Sequence, residues 1–316
     1  MAAAALSAAL ALSARAAPPP WITIQGERIF PESITSTADG TVIIGSIGQR
    51  AIYRARPGSP TAERWIGPGT GGMQSIFGVL ADEKTHTLWA CSNAFGPATG
   101  RAPPATLLAF DLGSGAFKAG YPLPTSGAFC NDIAVGADGT VYATDTNNME
   151  VVRLVKHAVR LETWAGRGAF GPKGGLLDGI CILERRVLVN TLATSRLFSV
   201  PIDRDGTAGA VVEVKLDHAL AHPDGMRSFG RYGLLVAQGG AGGRLSRVIV
   251  HGDTGTVTLL KEGFPDGPVS VTVVGTTAYV LEGQLGKLLH PPGPEGADPI
   301  MKLNPFRATA VEVGRP

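Results

Sequence analysis

A short phrase recurs six times along this chain, and its spacing restricts the fold more than any other feature. It reads Glu32-Ser33-Ile34, Gln74-Ser75-Ile76, Asn131-Asp132-Ile133, Asp178-Gly179-Ile180, Asp224-Gly225-Met226 and Val269-Ser270-Val271. Each copy has a small or acidic residue followed by an apolar one, and all but the last begin with a polar side chain. The copies stand roughly 42 to 57 residues apart, the interval at which radial and stacked repeats occur. Between them run short segments of alternating polarity, joined by turns such as Ala38-Asp39-Gly40 and Ala137-Asp138-Gly139. An Asp-Gly pair between alternating segments is a strong hairpin signal. Helical periodicity is hard to find anywhere. The pattern predicts an all-β, six-bladed β-propeller with a central channel, occupying residues 21–316. Segment 21–30 precedes the first phrase and is expected to pair with 308–313, so that the two ends of the chain close the ring and leave no free sheet edge.

In a propeller the innermost strands face the axis, and equivalent positions at their heads form a ring at one mouth of the channel. Glu32, Gln74, Asn131, Asp178 and Asp224 are expected in that ring, with Val269 as an apolar member. Three carboxylates and two amides in a narrow tunnel repel one another unless they are protonated or share a cation. An all-oxygen donor set suits a hard divalent ion, calcium first. A single Asp-Gly is more often a turn than a site, so the weight rests on registration across blades. Gln74, with its long amide, is expected either to contact substrate or to hydrogen-bond within the channel wall.

The formal net charge is +2 and no Lys/Arg run occurs, which argues against a nucleic-acid partner. Cys91, Cys130 and Cys181 lack metal-ligand spacing. They read as buried small apolar residues, with one disulfide as the alternative if the protein is exported. Residues 1–17 are rich in Ala, Leu and Ser, and Pro18-Pro19-Pro20 follows. Residues 1–20 read as a signal peptide with a small-x-small cleavage site at Ala14-Arg15-Ala16, or else as a disordered Ala/Pro-rich tail. The first reading implies a periplasmic or secreted protein, the second a cytoplasmic one. The apolar run is too short to span a bilayer, and no other run is longer.

Four of the phrases go beyond a generic propeller: Phe30-Pro31-Glu32-Ser33-Ile34, Asn131-Asp132-Ile133-Ala134-Val135, Leu177-Asp178-Gly179-Ile180 and Pro223-Asp224-Gly225-Met226. In order and position they resemble the senescence marker protein/gluconolactonase family, which includes regucalcin and bacterial gluconolactonases. The resemblance runs over nearly the whole chain after residue 20. It implies a six-bladed propeller with one divalent cation in the channel: calcium, or failing that magnesium, manganese or zinc. It implies hydrolysis of a small-molecule lactone or related ester. By resemblance the metal ligands are Glu32, Asp178 and Asp224, with Asn131 near metal or substrate. Asp178 departs from the family, which usually has Asn there. The extra carboxylate should tighten cation binding and reduce the positive charge left for polarising a substrate.

The residues support a matching chemistry. A cation in the ring would stabilise the oxyanion formed as water or a carboxylate attacks a lactone carbonyl. Asp224 is the expected nucleophile or general base, with Gly225 leaving room for substrate beside the backbone. His222 lies close enough in sequence to shuttle a proton, although strand alternation would aim it sideways. Phe95 and Phe129 either line the substrate pocket or pack in the core. The Gly/Pro-rich loop 95–104 is expected over the channel mouth. No nucleophile elbow, phosphate-binding glycine loop or dinucleotide fingerprint is present. The alternative function is a non-catalytic propeller that binds a small ligand or a partner protein, with a structural metal.

Overall fold

Short strands bounded by tight turns dominate the chain, and a computed structural model shows how they assemble. It describes residues 18–96, 102–166, 168–240, 242–289 and 303–316. The leader-like residues 1–17, the central part of loop 95–104 and the Pro/Gly-rich stretch 291–299 lie outside the described residues, wholly or in part. Six antiparallel sheets radiate from an axis, two of them merged into one eight-stranded sheet. The innermost strands are Pro31–Ser36, Ser75–Asp82, Cys130–Val135, Leu177–Leu183, Pro223–Ser228 and Pro268–Val274. The one α-helix among the described residues is Leu285–Leu289, at the channel mouth. No described helix is long and apolar enough to cross a membrane.

The Asp-Gly turns form for a local reason. At Asp138-Gly139 the Asp138 carboxylate accepts from the Thr140 backbone N–H at 3.0 Å and from the Thr140 hydroxyl at 2.9 Å. Gly139 takes the positive φ of 87° that closes the turn. The first blade uses the same device around Asp39 and Gly40.

Most inner strands are buried on both faces, because each blade packs face to face on its neighbours. The core is therefore divided into wedges between blades. Ile43, Ile52 and Ile66 of blade one meet Ile76, Val79 and Leu88 of blade two, and Cys181, Leu188 and Leu197 of blade four meet Met226, Leu234 and Val236 of blade five. The ring closes as expected, with Trp21–Ile24 as the outer strand of blade six. Trp21 pairs with Thr309 and Ile22 with Ala308 in antiparallel register. The same strand runs parallel to Thr61–Ile66, the outer strand of blade one, which produces the eight-stranded sheet.

The recurring phrase is a β-bulge. In blade one Pro31 pairs with Ser46 and Ile34 with Ile44, so one extra residue is accommodated on the inner strand. The same irregularity falls between Cys130 and Ile133, Leu177 and Ile180, Pro223 and Met226, and Pro268 and Ser270. A bulge bends its strand and re-aims a side chain. Here it turns Glu32, Asn131, Asp178 and Asp224 towards one point.

Blade two corrects the sequence reading. Its bulge falls between Ile76 and Val79, so the equivalent phrase is Phe77-Gly78-Val79 rather than Gln74-Ser75-Ile76. Gln74 precedes the strand, half-buried, and its side-chain amide donates to the Gly72 carbonyl. The ring member of blade two is Phe77. A second correction concerns the cysteines. Cys91 and Cys130 form a disulfide, and only Cys181 is free and buried. Burial pushes the Cys181 thiol up to about 12, which makes it an inert small apolar residue.

Candidate metal and active site at the channel mouth

Glu32, Asp178 and Asp224 each offer a carboxylate oxygen, and these oxygens lie within 4.8 Å of one another. Asn131 stands beside them and donates from Nδ2 to Asp178 at 3.2 Å. Glu32, Asn131 and Asp178 are buried, whereas Asp224 is partly exposed to the pocket beside it. Two further oxygens, Asn131 Oδ1 and Asp178 Oδ1, are buried without a hydrogen-bond partner. Unpaired buried oxygens are costly, and here both belong to the same constellation.

The electrostatics agree. Burial, then Asp178 and Asp132, hold the Glu32 carboxyl well above its ordinary range. Burial, then the charges of Asp178 and Glu32, do the same for Asp224. Burial and Asp132 raise Asp178 to about 7 from its ordinary 3.8, partly offset by hydrogen bonds from Asp224 and Asn131. Three crowded carboxylates that resist ionising, with orphaned oxygens between them, fit a hard divalent cation. The residues that would hold it are Glu32, Asp178 and Asp224, with the Asn131 oxygen as a fourth donor.

This crowding has a sign that melting curves can read. A carboxyl raised in the folded state binds its proton there and releases it on unfolding at intermediate pH. Its stability contribution is therefore full below the ordinary value of 3.8 and is lost as pH rises towards about 7. Asp178→Asn is expected to flatten that loss in chelator-treated protein and to weaken cation binding. Melts from about pH 4 to about pH 8 compare the two proteins. Identical slopes would reject the crowding.

Residues that sequence reasoning missed hold the ring in place. Opposite each bulge stands one residue of the second strand, and in three successive blades that residue ties to the next blade. Thr144 accepts from the Asp132 N–H at 3.0 Å and donates to the Asp178 carbonyl at 2.8 Å. Asn190 accepts from the Gly179 N–H at 3.1 Å and donates to the Asp224 carbonyl at 2.6 Å. In blade two the position is Cys91, whose disulfide runs to Cys130 beside Asn131. Asn93 adds two bonds to the Cys130 backbone, at 2.7 and 2.9 Å. The small residue of the bulge is equally constrained. A Cβ at Gly78 would sit 2.2 Å from the Asn131 carbonyl, and one at Gly179 would sit 2.4 Å from that of Asp224.

Arg227 crosses the axis. It bonds both oxygens of the buried Asp132 at 3.1 and 2.8 Å, and reaches the Met226, Ile34 and Val79 carbonyls and the Ser33 hydroxyl. One guanidinium thus links blades one, two, three and five. Its charge also lowers the Glu32 carboxyl somewhat.

A pocket of about 630 Å³ opens beside Asp224 between blades five and six. Val269, Leu192, Pro265, Leu285 and Leu289 line it, together with His222. His222 is exposed, with a backbone φ of 49°. Phe77 packs edge to face on Phe129 at 4.6 Å and on Phe95 at 5.6 Å.

No protein-family model matches the chain, and no curated protein matches it. Solved structures do. A putative gluconolactonase superposes with a TM-score of 0.64 at 12% identity, covering 94% of each chain. A luciferin-regenerating enzyme gives 0.64 at 10% identity over 91% of this chain and 92% of its own. A gluconolactonase of Xanthomonas campestris gives 0.61 at 14% identity over 90% and 87%. The chain thus has the β-propeller fold of the gluconolactonase-like proteins that its four phrases resemble.

Proposed function

We propose that the protein is a divalent-metal-dependent hydrolase of lactones or related esters. The observation that carries this reading is the convergence of Glu32, Asn131, Asp178 and Asp224 around unpaired buried oxygens, next to an open pocket. The likeness to gluconolactonases supports it at the level of the fold.

When bound, a divalent cation would supply positive charge that keeps the carboxylates ionised and favours charge on a carbonyl oxygen. The chain's own residues do the rest. The Gly225 N–H donates to Asp224 Oδ1 at 2.8 Å and fixes the carboxylate at the pocket wall. Asp224 is then placed to accept a proton from water as the water oxygen bonds to the carbonyl carbon. The carbon–oxygen bond of the ring breaks, and the proton passes to the departing alkoxide, giving a hydroxy acid. His222, on the same pocket, is the candidate relay for that proton. Gln74, displaced from the ring, could contact substrate only from outside it.

The test is a panel of small lactones with and without chelator, alongside elemental analysis. Metal-dependent turnover is expected, lost with chelator and restored by calcium. Tight metal without turnover on any lactone or ester would favour the binding propeller instead. The Cys91–Cys130 disulfide favours an oxidising compartment, and so supports reading residues 1–20 as an export signal.

A further inference from the structure

The pocket beside Asp224 has a composition that selects among lactones. Among the described residues six apolar side chains line it, Val269, Leu285 and Leu289 among them, and of its polar ones Asp266 and Gln284 are already bonded to Asn304 and Lys287 to Gln284. Leu289 is 53% exposed and Leu285 half-buried, so helix Leu285–Leu289 presents apolar surface at the opening. Val269 is itself the blade-six member of the ring, next to Asp224 in order around the axis. On the other flank of Glu32 the ring member is Phe77, backed by Phe95 and Phe129. Phe77, Val269 and Leu285 belong to one apolar cluster. Both ring positions that flank Glu32 are therefore hydrophobic. At about 630 Å³ the pocket is ligand-sized, with room beyond a bare lactone ring.

We infer that the substrate is a neutral lactone or ester carrying an apolar alkyl or aryl substituent, rather than a polyhydroxylated sugar lactone, and that the substituent lies against Val269, Leu285 and Leu289. The inference rests on the hydrolase reading above and deepens it. Against Val269, Leu285 and Leu289 a polyol chain would meet aliphatic carbon where it needs hydrogen-bond partners, and each hydroxyl left unpaired there would lose its hydration without return. An alkyl chain gains by the same burial.

The test uses two series on the metal-loaded protein. One is δ-lactones with no substituent, then propyl, pentyl and phenyl groups, compared with gluconolactone. The other is the matching lactams, which resist hydrolysis and report binding alone by calorimetry. Lactam affinity is expected to rise about fourfold per added methylene, the factor that about 0.8 kcal/mol per buried CH₂ gives. The preference in kcat/KM for pentyl over unsubstituted lactone should rise in parallel and fall several-fold in Leu289→Ser, a change on exposed surface. Val269→Thr, nearly isosteric, is the second variant and should cut the same ratio. A flat chain-length dependence, or gluconolactone as the best substrate, overturns the substrate class and leaves the hydrolase standing. Lactams that bind with rising affinity while no lactone is turned over would instead uphold the apolar pocket and remove the hydrolase.

Discussion

Asp224→Asn is expected to lower lactone turnover by about 10²- to 10⁴-fold, the usual contribution of a positioned general base. The substitution keeps the shape of the side chain and its acceptor for the Gly225 N–H. It removes the proton-accepting oxygen and one of the three clustered charges. The fold should survive, because the Asp224 backbone carbonyl remains tied to Asn190 and the strand ladder from Pro223 to Ser228 is untouched. Two measurements separate the roles. Cation affinity by titration calorimetry should fall, since a charged donor is lost. Turnover at saturating cation should remain depressed if Asp224 handles the proton. Full recovery of turnover at high cation would reduce Asp224 to a ligand and move the proton transfer elsewhere, with His222 next in line.

Arg227→Met should cost on the order of 3–5 kcal/mol of folding stability, the usual penalty for leaving a buried charge without its partner. Asp132 is 3% exposed, and Arg227 bonds both of its oxygens. The variant also strips partners from the Ile34 and Val79 carbonyls and the Ser33 hydroxyl. The denaturant midpoint should therefore fall sharply with little change in slope. Pairing it with Asp132→Asn should return part of the loss, because the stranded charge is then gone. Equal destabilisation by the single and double variants would show that the carbonyl contacts, rather than the ion pair, carry the effect. The loss of positive charge should also raise the Glu32 carboxyl further.

Much of the fold was legible because the bulge leaves a linear trace. A small residue followed by an apolar one marks where the inner strand kinks, and five of the six copies were placed in register on that basis. Blade two went wrong for an identifiable reason. Gln74-Ser75-Ile76 and Phe77-Gly78-Val79 both fit small-then-apolar, and polarity at the first position favoured Gln74. The glycine was the better guide, since Gly78 lets the Asn131 backbone approach as Gly179 does for Asp224. Arg227 left no local trace, because its partners come from four blades and its neighbours in sequence resemble any strand. The disulfide was hidden for a similar reason. Cys91 and Cys130 are brought together by blade packing, across 39 residues of sequence. A bridge of that span contributes on the order of 4 kcal/mol. Thr144 and Asn190 were equally silent, since Thr and Asn are common in turns and only their place opposite a bulge gives them a task.

The strand Trp21–Ile24 has a consequence for biogenesis. Its antiparallel partner, Arg307–Glu312, follows the inner strands of all six blades in chain order, so Trp21 waits for Thr309 while those blades emerge. Until then Trp21–Ile24 and the blade-six strand Thr277–Glu282 each present an unpaired edge, and a growing chain in that state invites intermolecular pairing. Completion of the circle is thus a late, long-range event of high contact order. A truncation that spares Glu32, Asp178 and Asp224 but removes the strand Arg307–Glu312 is expected to leave a chain that aggregates, read by light scattering, rather than one that folds with weaker turnover.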